Sequence, residues 1–316
     1  MDERVVLGID TSNYTTSAAI LTLSGELVAN IKKPLPVKSG ECGLRQSEAV
    51  FAHIKNLPMI MDEVRLALDG RIPCCVGVSE KPRNIESSYM PCFLSGVAAA
   101  QSISAALNVP LYKFSHQCGH IMAAIYSSGA YSLLGGEFGA FHISGGTTEL
   151  LNVKWADSGF DTTLVGGTKD LNAGQIVDRI GVHLGMPFPA GPHLEISALE
   201  YEGKIPSRKV SVDGTYANLS GLENMAKKLY ESGGDVSQTA AFVFDYLGNS
   251  IVRMCQNYIE VYGDMPFVFA GGVMCNSIIR HKIQRYLNAY FAEPSMSADN
   301  AVGIAALVLD KYLKQI

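Results

Sequence analysis

Charge is scarce in this chain of 316 residues: Asp, Glu, Lys and Arg make up 17% of it, and the formal net charge is −5. A broad basic surface is therefore not implied. Nucleic-acid binding by the chain alone is not favoured, which leaves a local basic patch or a basic partner. Long apolar runs are missing too. The longest are broken by Gly, Ser or Pro, so the sequence predicts no transmembrane helix and no membrane association. No signal peptide is visible, since Met1 leads directly into Asp2, Glu3 and a β-branched run from Val5 to Ile9. The seven cysteines (Cys42, Cys74, Cys75, Cys92, Cys118, Cys255 and Cys275) contain no Cys-x-x-Cys, and their number is odd. Adjacent Cys74 and Cys75 are poorly placed to bridge each other. The chain thus reads as reduced and cytoplasmic. His-Glu-x-x-His is also absent, which removes the metalloprotease arrangement of two ligands flanking a general base.

What is present is a 47% hydrophobic composition, enough for a two-lobed α/β protein with a sizeable core. The most informative stretch is Ser115-His116-Gln117-Cys118-Gly119-His120. Residues i and i+4 share a helix face, so both imidazoles can point at one ion, or can simply pack. The apolar run from Ile121 to Ile125 fits a helix buried on one side.

Around it, strands are expected at 5–12, 17–23 and 27–31, separated by turns at Asn13-Tyr14 and Ser24-Gly25. The first ends in Asp10-Thr11-Ser12, which is either an ordinary hairpin or a way to present hydroxyls and N–H groups to a phosphate. A helix is expected over 47–68, with a break or kink at Pro58. Further expectations are a strand at 74–78, a polar loop at 80–91, a small-residue helix at 93–107 and a strand at 109–114.

From Ala140 to Val153 the opening design repeats: a strand ends in Ser144-Gly145-Gly146-Thr147-Thr148 and returns as a strand, with one more at 162–165. Two such meanders suggest a duplicated fold, and adjacent glycines let the backbone approach a ligand. Helices follow at 171–184, from 219, at 237–262 and from 276 to about 287. A rigid proline-rich turn is expected at 186–192, an extended segment at 207–212 and a last strand at 290–291. A buried strand at 265–270 runs into Gly271-Gly272, a third turn able to bring N–H groups to a ligand. Asp299 sits at the start of the closing helix, 301–312, where a carboxylate is favoured or caps. Three such turns in one α/β chain point to a nucleotide held in a cleft.

These motifs, in this order, resemble the TsaD family, the tRNA threonylcarbamoyladenosine synthases formerly described as sialoglycoprotein endopeptidases. Ile9-Asp10-Thr11-Ser12 matches the family's I-E-T-S, His116 to His120 its H-x-E-G-H, and Ser144-Gly145-Gly146 its S-G-G-H-T. Ala173-Gly174 with Asp178 matches A-G-E-x-F-D, Pro189-Ala190-Gly191-Pro192 matches P-G-G-P, and Ser220-Gly221-Leu222 matches F-S-G-L-K. Gly271-Gly272-Val273 with Asn276 matches G-G-V-x-x-N, and Asp299-Asn300 matches D-N-G.

The resemblance implies a duplicated, two-lobed actin/Hsp70/sugar-kinase-like (ribonuclease H-like) α/β fold. Residues 1–115 would form an N-terminal lobe closed by part of the C-terminal helix. Residues 116–316 would form a C-terminal lobe, with a metal and nucleotide cleft between the two. It further implies His116, His120 and Asp299 as ligands of one divalent ion, iron or zinc. His142, Ile143, Ser144, Gly145 and Gly146 would line the substrate cleft. Asp178 would bond the ribose with Gly191 nearby, and Asn276 would lie near the adenine.

The implied reaction passes a threonylcarbamoyl group from threonylcarbamoyl-AMP to the N6 amine of a tRNA adenosine. The implied partners are ATP or an adenylate, and tRNA with the help of other proteins, a shorter paralogous subunit among them. The chain departs from the pattern at Cys118, Asn13 to Thr16, Gln175 and Thr147, at Val50-Phe51-Ala52 before His53, and at Lys81-Pro82-Arg83-Asn84. Several carboxylates are thereby lost. They set a second expectation: a paralogue that binds metal and adenine nucleotide without catalysis, or with another acceptor. A small-molecule kinase of the same fold would leave the His-His-Asp set without a use.

Overall fold

A computed structural model describes residues 4–12, 14–36, 44–157 and 159–315; the acidic pair at Asp2 and Glu3, Asn13 of the first turn, and Cys42 lie outside them. In chain order the elements are β1 (Arg4–Ser12), β2 (Thr15–Thr22), β3 (Leu27–Pro34), α1 (Gln46–Leu68), β4 (Ile72–Lys81), α2 (Phe93–Leu107), β5 (Leu111–Ser115) and α3 (His116–Ser128). Next come β6 (Glu137–Ile143), β7 (Thr148–Ala156), β8 (Gly159–Thr168), α4 (Ala173–His183), α5 (Gly191–Leu199), β9 (Val212–Asp213) and β10 (Tyr216–Ala217). The chain closes with α6 (Ser220–Glu231), α7 (Val236–Tyr262), β11 (Phe267–Ala270), α8 (Ser277–Gln284), β12 (Ala289–Phe291), α9 (Pro294–Ser297) and α10 (Val302–Leu313).

Two sheets carry the described residues, in the orders β3-β2-β1-β4-β5 and β12-β11-β6-β7-β8-β10-β9. The expected duplication is visible in these orders. In each, three strands form a meander, and the first of the three pairs in parallel with a strand that pairs in parallel with a further one. The second sheet adds β10 and β9 beyond its third meander strand.

The chain divides into two compact units, Met1–Gly129 with Trp155–Asp161 and Ala298–Ile316, and Ala130–Lys154 with Thr162–Ser297. The boundary expected between residues 115 and 116 therefore falls later: α3 belongs to the first unit. The reason is packing. A Cβ on Gly303 would stand 1.8 Å from the Gly119 carbonyl oxygen, so α3 and α10 meet backbone to backbone. Under α10, Gly8 and Gly77 clear the sheet: a Cβ at Gly8 would lie 2.6 Å from Ala305 N, and one at Gly77 1.9 Å from Val308 Cγ2. Helix α10 is accordingly buried from Val302 to Val308. On the other face of this sheet, Val5, Leu7 and Ile9 pack with Ile20, Ile60, Val64 and Ala100, the alternation that a pleated strand imposes.

Helix α1 runs unbroken past Pro58, where a break or kink was expected. Proline removes one i→i−4 bond. The carbonyl it abandons is that of Ile54, an exposed residue open to water, while Ile60 and Val64 continue the buried stripe.

In the second unit, a ladder of stacked rings crosses three strands: Phe141 lies 5.3 Å from Phe269, and Phe269 5.0 Å from Phe291, centroid to centroid. Register places Phe269 opposite both, so the rings share one face. Helix α5 begins within the expected proline turn, with Pro192 in its first turn, a position where proline's missing N–H costs nothing. Of the segment expected to be extended at 207–212, Val212 enters a strand, the two-residue β9.

Candidate functional site

His116 and His120 reach their places through capping and packing together. Ser115 ends β5 and serves as N-cap of α3, its hydroxyl accepting from Cys118 N at 3.2 Å. His116 is therefore the first residue of the helix and His120 stands one turn further on. The close crossing of α3 and α10 at Gly119 and Gly303 brings in the segment that precedes α10. Asp299 Oδ1 lies 3.5 Å from His116 Nε2 and 3.2 Å from His120 Nε2. Asp299 does not cap α10; that bond is made by Asn300 Oδ1, which accepts from Val302 N at 3.0 Å. Its carboxylate is left to the imidazoles.

One ligand atom from each of His116, His120 and Asp299 lies within 4.8 Å of the other two. Ligand atoms around one ion, at bonds of about 2.1 Å, are about 3.0–3.4 Å apart; the His120–Asp299 distance of 3.2 Å falls in that range and the His116–Asp299 distance of 3.5 Å just beyond it. Two imidazoles and one carboxylate are a donor set suited to iron(II) or zinc, with positions left open for a substrate. The electrostatics agree. Burial opposes a charge on His116, but Asp10 and then Asp299 outweigh it and raise its pKa to about 10. Burial likewise opposes charge on Asp299, yet His116 and His120 hold its carboxyl well below the usual range. Carboxylates that favour an imidazolium here would favour a divalent cation in the proton's place.

Sequence reasoning missed Asp10 as a member of this site. Asp10, Thr11 and Ser12 are buried rather than presented to solvent. Thr11 Oγ1 donates to Cys92 O at 3.1 Å and accepts from Gly96 N at 3.0 Å. Asp10 Oδ2 lies 3.1 Å from His116 Nδ1. The sole hint was a carboxylate at the end of a buried strand. His53 is also buried, with Nδ1 2.8 Å from Thr16 Oγ1.

Two departures from the family pattern turn out to be partners. Asn84 Nδ2 donates to Phe160 O at 3.0 Å and lies 3.3 Å from Cys118 Sγ, which itself rests 3.4 Å from Phe160 O. Cys118 follows His116 by two residues, about 200° around the helix, so its thiol belongs to this packing and not to the donor set.

The second unit holds a cavity of about 310 Å³ lined by Gly145, Gly174, Asp178, Gly191, Glu195 and Asn276 among others. Gly174 lets the backbone close up beside it, since a Cβ there would stand 2.6 Å from Ser144 O; next to the lining residue Gly272, Gly271 is at φ +98° and a Cβ on it would lie 2.3 Å from Ile143 O. Ser144 N donates to Thr147 O at 2.8 Å to close the turn, and Gly174 N donates to Ser144 O at 3.2 Å. Asp178 Oδ1 accepts from Ala190 N at 2.8 Å. Asn276 Oδ1 caps α8 by accepting from Ile279 N at 2.9 Å. Its Nδ2 is buried and has no hydrogen-bond partner, a donor left for whatever enters.

The cavity thus gathers Gly145, Asp178, Gly191 and Asn276. Ile143 contributes only backbone, because its side chain is core. Gly146 lines a different, smaller depression with Thr147, Thr148 and Glu149. His142 sits on β6 opposite Ala270 and Glu149. Glu195 was missed: its Oε1 accepts from Ser277 N at 2.6 Å and from Ser277 Oγ at 2.5 Å. Only the start of a helix where a turn was expected could have drawn attention to it.

The fold is the actin/Hsp70/sugar-kinase type. Component A of the Acidaminococcus fermentans (R)-2-hydroxyglutaryl-CoA dehydratase superposes with a TM-score of 0.54 at 14% identity, over 98% of this chain and 99% of that one. HypF of T. kodakarensis superposes with a TM-score of 0.63 at 13% identity, over 99% of this chain and 48% of that one. Residues 89–306 match the family model described as TsaD, tRNA N6-adenosine threonylcarbamoyltransferase, and the chain belongs to that family. Relatives bearing the same description include that of Methanopyrus kandleri, 25% identical over 308 residues, covering 95% of this chain and 86% of the relative. Another is that of Streptococcus suis, 27% identical over 338 residues, covering 100% and 94%. Among the described residues no helix is long and apolar enough to cross a membrane.

Proposed function

We propose that this chain transfers a threonylcarbamoyl group from threonylcarbamoyl-AMP to the N6 amine of a tRNA adenosine, using one divalent ion, iron or zinc, held by His116, His120 and Asp299. The observation that carries the reading is the convergence of both Nε2 atoms on Asp299 Oδ1 in a member of the TsaD family. When bound, the ion would supply orientation and Lewis-acid polarisation to the adenylate. The new bond joins N6 to the carbamoyl carbon; the bond from that carbon to the phosphate oxygen breaks, AMP leaves with its electron pair, and N6 gives up one proton to solvent.

The chain's own residues bind and orient. The Ser144-Gly145-Gly146 turn lets backbone come close to the adenylate, with His142 and Ile143 leading into it. Asp178, already fixed by Ala190 N, has an oxygen left for a ribose hydroxyl beside Gly191. The buried Nδ2 of Asn276 offers a donor to an adenine ring nitrogen, and Glu195 an acceptor near it. With a net charge of −5, part of the RNA surface falls to a partner, for which a paralogous subunit is the proposal, and the setting is cytoplasmic.

The test is reconstitution with tRNA, ATP, threonine, bicarbonate, the adenylate-forming enzyme and the paralogous subunit. Threonylcarbamoyladenosine in digested tRNA is the expected product. Bound nucleotide without modified adenosine contradicts the proposal.

A further inference from the structure

Asp10 is fully buried near the end of the central strand β1, and a carboxylate in that position is destabilising unless it is paired. Two side chains meet it. The Ser79 hydroxyl, from neighbouring β4, donates to Oδ1, and His116 Nδ1 faces Oδ2 at 3.1 Å, a buried oxygen that no aligned hydrogen bond satisfies. The strand itself is fixed on both edges, by β2 and by β4, and Ser17 Oγ donates to the Asp10 carbonyl at 3.3 Å. Asp10 therefore holds its place with little freedom.

The two ring nitrogens of His116 point in different directions, so Asp10 cannot be a further ligand of an ion that Nε2 holds. It stands on the opposite side of the imidazole from Asp299. We infer that Asp10, aimed by Ser79, is the positioning residue of His116: it accepts the Nδ1 proton, which fixes the ring's orientation and leaves the Nε2 lone pair directed at the space shared with His120 and Asp299. Metal-bound histidines commonly donate their other N–H to a carboxylate in this way, which sets the tautomer and raises the ligand's basicity. The inference rests on the reading of His116, His120 and Asp299 as a metal set. It adds to that set a device from the first strand and its neighbour, so that β1, β4, α3 and the segment before α10 together fix one imidazole.

Zinc is the probe, and two readouts besides activity are used. Affinity is measured on the full chain by competition with a chromophoric chelator. The second readout is the His116 Nδ1–H resonance of the zinc-loaded protein, expected far downfield and protected from exchange. Asp10→Asn, folded as judged by its melting curve, is expected to bind zinc about ten- to a hundredfold more weakly and to lose that protected resonance. Ser79→Ala, which removes only the hydroxyl, is expected to weaken zinc severalfold and speed exchange of the same proton. It decides the matter if Asp10→Asn fails to fold. Zinc affinity and Nδ1–H protection unchanged in a folded Asp10→Asn, or in Ser79→Ala, would overturn the positioning role alone. Equal zinc retention by wild type and His116→Ala would instead overturn the metal set beneath it.

Discussion

In the first unit the leading strand of the meander, β1, carries near its end Asp10, a buried carboxylate turned toward an imidazole. In the second unit the equivalent strand, β6, runs into Ser144-Gly145-Gly146, a turn with almost no side chain. The strand order around them is the same, and the chemistry at their ends is opposite. One unit spends its strand end on charge and on a tight array of donors whose positions are set by helix crossing. The other spends it on bare backbone, with Gly174 letting the turn pack closely beside a cavity whose lining includes Asn276, its Nδ2 buried and unpaired. A duplicated scaffold therefore need not duplicate its function. What distinguishes the halves is whether glycine sits between two helices, where it brings side chains together, or beside a turn, where it keeps them away.

The sharpest way to break that contrast is at the helix crossing. Gly303→Ala puts a Cβ 1.8 Å from the Gly119 carbonyl, a backbone atom that cannot swing aside. It is expected to destabilise the protein by about 3 kcal/mol and to abolish metal retention, read by thermal melting and elemental analysis. Gly119→Ala meets only the end of the Ile304 side chain, at 3.0 Å, and is expected to be much milder; equal damage from both would mean that the crossing is not what assembles the triad.

In the second unit Gly174→Ala, whose Cβ would lie 2.6 Å from Ser144 O and 2.7 Å from Gly145 Cα, is expected to weaken adenine-nucleotide binding about tenfold while metal content stays at the wild-type level. That corresponds to about 1.4 kcal/mol, and calorimetric titration reads it. Asn276→Ala removes both the cap of α8 and the buried donor, so it is expected to lower stability by about 1 kcal/mol and to weaken adenosine more than ribose phosphate.

The smallest effect belongs to Asp170, which accepts from Leu219 N at 2.8 Å and Ser220 N at 3.0 Å at the start of α6. Partial burial opposes its charge, but the Ser220 hydroxyl, with the N–H groups of Leu219, Ser220 and Leu171, lowers its pKa from 3.8 to about 2. A depressed carboxylate stabilises the fold above its unfolded pKa and loses that contribution as pH falls through the folded one. Asp170→Ala is therefore expected to cost about 0.5 kcal/mol near neutrality, with the gap to wild type narrowing from about pH 4 and closing only below about pH 2. A gap that stays constant from about pH 5 to below about pH 2 contradicts the assignment.

Much of this was legible before any coordinates. The i, i+4 histidines, the repeated strand–turn–strand design and the long α7 follow from local spacing, which is what a sequence encodes most directly. Asp299 was placed beside the histidines only through family resemblance, since local spacing offered it a cap that Asn300 in fact supplies. Asp10 and Glu195 were invisible for a related reason: their partners, His116 and Ser277, are brought to them by tertiary packing, and nothing near them in the chain announces it. Pro58 did not break α1, the carbonyl it leaves unpaired belonging to the exposed Ile54, and the lobe boundary misled because two glycines in distant segments, Gly119 and Gly303, decide where α3 packs.

The central claim is that the first unit assembles one metal site from His116, His120 and Asp299. Metal analysis of the full chain, loaded with zinc and passed through a desalting column, tests it most directly. The account predicts one ion per chain in the wild type and essentially none in His116→Ala; the same metal content in both would contradict it.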